Sequence, residues 1–205
     1  GMTLLLHAHP LSSYCWKALV ALYEKGFEFE LAIVDFGDPE SAAAFRALWP
    51  IAKMPVLEDQ GAAVVESSVI VEHLDLFHPG PKLIPEDRAA ALEVRRLDRV
   101  FDHYVMAPMQ RIVLDRIRPA EARCPADVEA ALGLLDTACL WLESELAGRT
   151  WAAGDAFTLA DCAAAPSLHY ADRVHPFRGR LPTLSAYLDR LEARLSFARV
   201  LREAE

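Results

Sequence analysis

The stretch "PGPKLIPE", residues 79–86, divides the sequence into two unlike halves. Three prolines and a glycine within eight residues interrupt both helix and sheet, because proline has a fixed φ and no N–H to give. Upstream, strand and helix patterns alternate. Thr3 to His7 is a short apolar run that fits a buried strand. A helix then runs through Ala18, Leu19 and Leu22 to Lys25, capped at its start by Ser12 or Ser13 and stopped by Gly26. Phe27 to Asp35 reads as a second strand, and Pro39 to Leu48 as a helix. Pro55–Glu58, Asp59-Gln60-Gly61 and Ala62–Glu66 read as strand, turn and strand. Ser67 opens a further helix that ends near His78. Downstream the strand signals stop. Helical patterns cover 87–117, 125–147, 159–173, 182–194 and 196–204. The sequence therefore predicts two domains, an α/β unit over 1–78 and an all-helical unit over 87–205.

Composition narrows the class. The chain has 205 residues, 53% of them hydrophobic, enough for a sizeable core. No run of 18 apolar residues predicts a transmembrane helix. Gly1-Met2 reads as a tag remnant before a start methionine, with no secretory signal after it. A formal net charge of -9 disfavours nucleic acid and anionic membranes as partners. Cys15, Cys124, Cys139 and Cys162 form no CxxC pair and no cluster with zinc spacing, so no metal is called for and a reducing cytoplasm is the expected compartment. Cys139 and Cys162 sit among apolar neighbours and are expected to pack in helices.

Four stretches carry chemistry or its scaffold. In "HPLSSYCW", residues 9–16, serines stand at a helix N-terminus directly after a strand. Free N–H groups and the helix dipole favour an anion there, and a hydroxyl can hold a bound thiolate. Capping alone is the commoner use of such serines. In "WPIAKMPVL", residues 49–57, Met54-Pro55 precedes a strand, where a cis bond is expected and the Met54 backbone is left to pair with an extended peptide; an ordinary edge-strand proline is the plainer reading. In "VVESSVIVEHL", residues 64–74, Glu66 and Ser67 stand where a strand gives way to a helix. Together they suit the ammonium and carboxylate of an amino acid, or else serve as a strand-end charge and a cap. Thr158 and Asp161 have the spacing of a capping box and are read as structural.

Taken together and in this order, these motifs resemble the cytosolic glutathione transferase family over almost the whole chain. The resemblance implies a thioredoxin-like N-terminal domain, an all-helical C-terminal domain, glutathione as co-substrate, a small-molecule electrophile as acceptor, and a homodimer. It also implies that Met54 pairs with the cysteinyl backbone, that Lys53 lies near the glycine carboxylate, and that Glu66 and Ser67 hold the γ-glutamyl end. "SSYCW" is most similar to the opening of zeta-class enzymes, the maleylacetoacetate isomerases. This makes Ser12 the catalytic serine, helped by the Ser13 and Tyr14 N–H groups, with Ser13 otherwise a cap. Tyrosine-using classes carry their tyrosine where this chain has His7. Lys17 and Leu19 replace zeta-class arginines, Ala52 replaces a common glycine, and Ala107-Pro108-Met109-Gln110-Arg111 keeps only the proline and second glutamine of the zeta Gln-Pro-x-Gln-Asn pattern.

The acceptor pocket is sketched from His9 and Leu11 beside Ser12, and from His103, Tyr104, Met106 and Arg111 on the first long helix of the second unit. The expected reaction is attack of bound glutathione thiolate on an electrophilic carbon. The alternatives are a glutathione-dependent cis–trans isomerase of a dienoic diacid, a non-catalytic protein with the transferase fold, and a thiol–disulfide exchanger built on Cys15.

Overall fold

The computed structural model describes residues 3–205. Strands β1 (Leu4–Ala8), β2 (Phe29–Ile33), β3 (Val56–Asp59) and β4 (Ala62–Val65) form one sheet in the order β2-β1-β3-β4. β1 pairs parallel with β2, Leu6 opposite Leu31, and antiparallel with β3, Leu6 opposite Leu57. A parallel neighbour needs a crossover, and helix α1 (Ser13–Lys25) supplies it. β3 and β4 join through the turn Gln60-Gly61, both at positive φ. β2 is shorter than the expected Phe27–Asp35.

Helices α1 and α3 (Ser67–Phe77) pack against each other, with Leu4, Leu6, Leu57 and Ile70 in the core they share. Helix α2 (Pro39–Leu48) builds a smaller cluster of Val34, Phe45 and Val56. Gly26 ends α1 in the left-handed conformation, its N–H meeting the Tyr23 carbonyl.

After α3 the proline-rich stretch is tied down at several points. The Asp75 carboxylate accepts the Leu83 and Ile84 N–H groups and the Lys25 ammonium, and Lys25 also reaches the Pro81 carbonyl. The helical unit follows: α4 (Arg88–Val100), α5 (Ala107–Ile117), α6 (Pro125–Glu145), α7 (Leu159–Val174), α8 (Pro182–Ala193) and α9 (Leu195–Glu203). The expected single helix over 87–117 is interrupted by a π-helical turn at Phe101–Met106. Pro108 has no N–H for the Tyr104 carbonyl, and the Ala107 N–H bonds the Asp102 carbonyl five residues back.

The Thr158–Asp161 capping box is formed at the start of α7. Asp161 accepts from the Thr158 and Ala152 N–H groups and from the Tyr187 hydroxyl. α1 also packs against α7 and α9: Trp16 stacks on Tyr170 at 4.7 Å and meets Phe197 edge-on. The two units therefore share one core along α1. Among the described residues, no helix is long and apolar enough to cross a membrane.

Candidate active site

The turn between β1 and α1 is held from three sides. Trp16 Nε1 donates to the Pro10 carbonyl at 2.7 Å, Tyr170 donates its hydroxyl hydrogen to the Leu11 carbonyl at 2.7 Å, and the Ser12 N–H meets the His9 carbonyl. These bonds fix Ser12 at the N-cap position with extended backbone (φ -77°, ψ 123°), and its side chain makes no capping bond. The expected division of labour between the serines is corrected here. Ser13 is not a cap: it is the first helical residue, buried, and its hydroxyl accepts from Gln110 Nε2 at 3.1 Å.

Ser12, Ser13 and Tyr14 line a cleft of about 880 Å³, within the usual range for a small-molecule site. Lys53, Met54, Glu66 and Ser67 line it too, so the structure brings every residue expected to hold glutathione into one cleft. The Met54-Pro55 bond is cis, as expected. Glu66 has φ 74° and precedes α3 without capping it, leaving its carboxylate to the cleft. Ala52, also in the lining, has φ 56°, which accounts for glycine being common at that place.

Beneath this wall lies a buried ionic group. The Lys17 ammonium, fully buried, contacts Asp98 at 2.6 Å, Asp102 at 2.7 Å and the Ser68 hydroxyl at 2.7 Å. Lys17 faces both carboxylates, and Arg99 reaches Asp98 from the exposed side at 3.1 Å. Burial raises the Asp102 carboxyl above the ordinary range; Lys17 opposes the shift and Asp98 adds to it. Asp102 Oδ1 has no hydrogen-bond partner, and Asp102 lines the cleft. Tyr14 is pushed up to about 12, first by burial and then by Asp102 and Glu66, so its phenol stays protonated. His7 pairs with Glu58 at 2.7 Å and is not part of the cleft wall.

The opposite wall is α5, through Met109, Gln110, Val113, Leu114 and Ile117. Of the expected acceptor residues, His9, Leu11 and His103 line the cleft. Met106, Tyr104 and Arg111 do not: Met106 is fully buried in the core, and the other two point outward. The π-helical turn shifts the register of α5, so Met109 and Gln110 face the site in their stead. Sequence reading missed Asp102 and Tyr170. Asp98 and Asp102 did carry a signal, since they stand four apart beside the apolar stripe of Val94, Leu97, Phe101 and Val105. Gln110 was also marked, as the second glutamine of the zeta pattern.

Cys15 is fully buried and outside the cleft wall. Burial pushes its thiol up to about 11, with contacts to the Ser12 hydroxyl and the His9 backbone pulling the other way. A nucleophilic thiol needs the opposite shift and an open approach, so the disulfide-exchange alternative finds no support in this geometry.

Comparison with known proteins agrees with this arrangement. Residues 6–82 match the glutathione S-transferase N-terminal domain and residues 125–190 the glutathione S-transferase C-terminal domain. A glutathione S-transferase of Silene vulgaris is 30% identical over 98% of this chain and 97% of its own. The maleylacetoacetate isomerase of Rattus norvegicus is 26% identical over 88% of this chain and 83% of its own. A glutathione S-transferase from Methylobacillus flagellatus KT, solved with GSH bound, superposes with a TM-score of 0.87 at 28% identity, covering 97% of this chain and 98% of that one. On these grounds the chain belongs to the glutathione S-transferase family.

Proposed function

We propose that the protein is a glutathione transferase in which the bound glutathione thiolate attacks a carbon of an apolar electrophile, the sulfur–carbon bond forming as a carbon–halogen bond breaks and halide leaves. Ser12 donates a hydrogen bond to the sulfur, and the free N–H groups at the start of α1 add to it. The thiol proton leaves to water. Lys53 takes the glycine carboxylate, the Met54 backbone pairs with the cysteinyl unit, and Ser67 receives the γ-glutamyl carboxylate. Glu66 accepts the γ-glutamyl ammonium, and Asp102 Oδ1 is a second acceptor for it. Residues 1–78 thus supply most of the glutathione contacts, with Asp102 added from 87–205, which also shape the acceptor side. The protein acts as a homodimer, and its four free cysteines suit a reducing cytoplasm.

The observation that carries this reading is the convergence of Ser12, Lys53, Met54, Glu66 and Ser67 on one cleft. The character of the opposite wall favours addition to an electrophile over isomerisation. Leu11, Leu114 and Ile117 are more than half exposed along the cleft. Among the described lining residues there is no arginine to pair with a diacid, and Lys53 is engaged by glutathione. The names of relatives such as the rat maleylacetoacetate isomerase keep the isomerase reading as the alternative. The test is a parallel assay with a halogenated aromatic acceptor and with a cis-dienoic diacid, each with glutathione. Turnover of the first and none of the second is expected. The reverse pattern would replace this reading by the isomerase.

A further inference from the structure

Away from the cleft, three potential metal ligands converge. Asp59 is the last residue of β3, His73 lies in α3, and His78 follows that helix. Both Nε2 atoms point at the same oxygen, Asp59 Oδ2, at 2.7 Å from His73 and 2.6 Å from His78. All three ligand atoms lie within 4.8 Å of one another, and none of these residues lines the cleft.

The spacing hides the cluster from sequence. On a continuous helix, positions five apart point about 140° away from each other. Here the helix ends at Phe77, and the extended backbone of His78 (φ -127°, ψ 151°) turns its ring back beside His73. Phe27 packs on His78 and Phe77 on His73, at 5.4 and 5.0 Å between ring centres, so apolar rings back both imidazoles. The Asp59 carboxylate is buried, while both imidazoles keep about a fifth of their side-chain surface open, which leaves an approach.

We propose that Asp59, His73 and His78 bind a borderline divalent cation of the zinc class, with water completing the coordination. The ligand types suit it: two imidazoles and one carboxylate with an open fourth position are a familiar zinc donor set. Metal–ligand bonds of about 2.0–2.2 Å in a tetrahedron separate ligand atoms by about 3.3 Å. The two short edges of the present cluster, 2.7 and 2.6 Å, need to open by about 0.6–0.7 Å relative to that figure. The two N–H hydrogens now bonded to Asp59 must leave or move to Nδ1, so binding competes with protons. The bound ion would tie the end of α3 to the end of β3.

Cobalt(II) titration of the full chain, freed of any affinity tag, tests this. One equivalent should give the visible absorption of a four-coordinate site, and zinc(II) should displace it. His73→Gln and Asp59→Asn should each weaken binding by more than the about 10–100-fold that loss of an outer-shell partner costs. His175→Gln, altering a histidine paired with Asp136 elsewhere, should change nothing. Glutathione binding serves as the check that each variant is folded. Should a variant lose it, His78→Gln and the one-to-one stoichiometry of the wild type, with displacement of cobalt by zinc(II), decide the matter. No cobalt binding by the wild type, or equal binding by folded His73→Gln, would overturn the proposal and leave a carboxylate shared by two histidines.

Discussion

Ser12 has one task in the proposed chemistry, to hold a negative sulfur. A free thiol ionises near pH 8.5, and a donor aimed at the sulfur favours the thiolate below that value. Ser12→Ala should therefore lower turnover near pH 6.5 by about 10²–10³, the usual cost of one such donor. The gap should close toward pH 9, where glutathione ionises unaided, and a pH–rate profile reads this directly. Cys15→Ser should keep most of its activity, because a buried thiol held at about 11 is almost wholly protonated at neutral pH. A dead Cys15→Ser with a normal Ser12→Ala would reverse the assignment. Asp102 gives a second prediction. If its unpartnered oxygen receives the γ-glutamyl ammonium, Asp102→Asn should raise the KM for glutathione by about 10–100-fold, the worth of a hydrogen bond to a charged group, with kcat little changed. Asp98 still neutralises Lys17 in that variant, so the fold stands. Ser12 was legible in the sequence from its place after a strand. Asp102 showed only as an acidic residue four after Asp98 beside an apolar stripe, because its role depends on a contact with Lys17, 85 residues away.

At the level of elements, the expected helices formed where capping chemistry was local. The box at Thr158 and Asp161 needs four consecutive residues, and the structure has it. The helix over 87–117 broke for a reason also present in the sequence, Pro108, but its outcome depended on packing. A proline at that depth can kink a helix, end it, or widen a turn, and only the neighbours of Phe101 and Met106 decide which. That single extra residue per turn explains why Met106 is core and Gln110 faces the cleft. Asp161 now does more than close its box, since Tyr187 and the Ala152 N–H also depend on it. Asp161→Ala leaves three buried donors unmet while Thr158 still caps the helix, so at least about 3 kcal/mol of stability should go, measured by urea unfolding. The carboxyl is raised to about 6, first by burial, with the hydrogen bonds pulling it down. The unfolded value is about 3.9, so between the two the folded state binds the proton more tightly. Stability relative to Asp161→Asn should accordingly be greatest at about pH 4 and decline as pH rises through about 6.

For the whole molecule, the proline-rich stretch marked the change from a sheet to helices, but not how closely the two parts adhere. Residues Cys15 to Leu22 of α1 are buried without a break, on the sheet side and on the α7–α9 side alike. The unbroken run Ala18–Leu22 hinted at this, since a helix apolar on all sides is covered on all sides. Residues 79–86 are likewise held by Asp75 and Lys25 and do not act as a free tether. Separating the units would expose the face of Trp16 that now stacks on Tyr170. The protein should thus unfold in one cooperative transition, with calorimetric and van't Hoff enthalpies in agreement. In the proposed binding mode glutathione contacts chiefly the first unit, yet it should stabilise the whole, by about 2.7 kcal/mol at 100 times its dissociation constant. Glu66→Ala, which removes an ammonium acceptor without touching the core, should reduce the shift at the same glutathione concentration and leave the unliganded melting curve in place. Two separate transitions, with only the first moved by glutathione, would show that α1 does not couple the units as its burial requires.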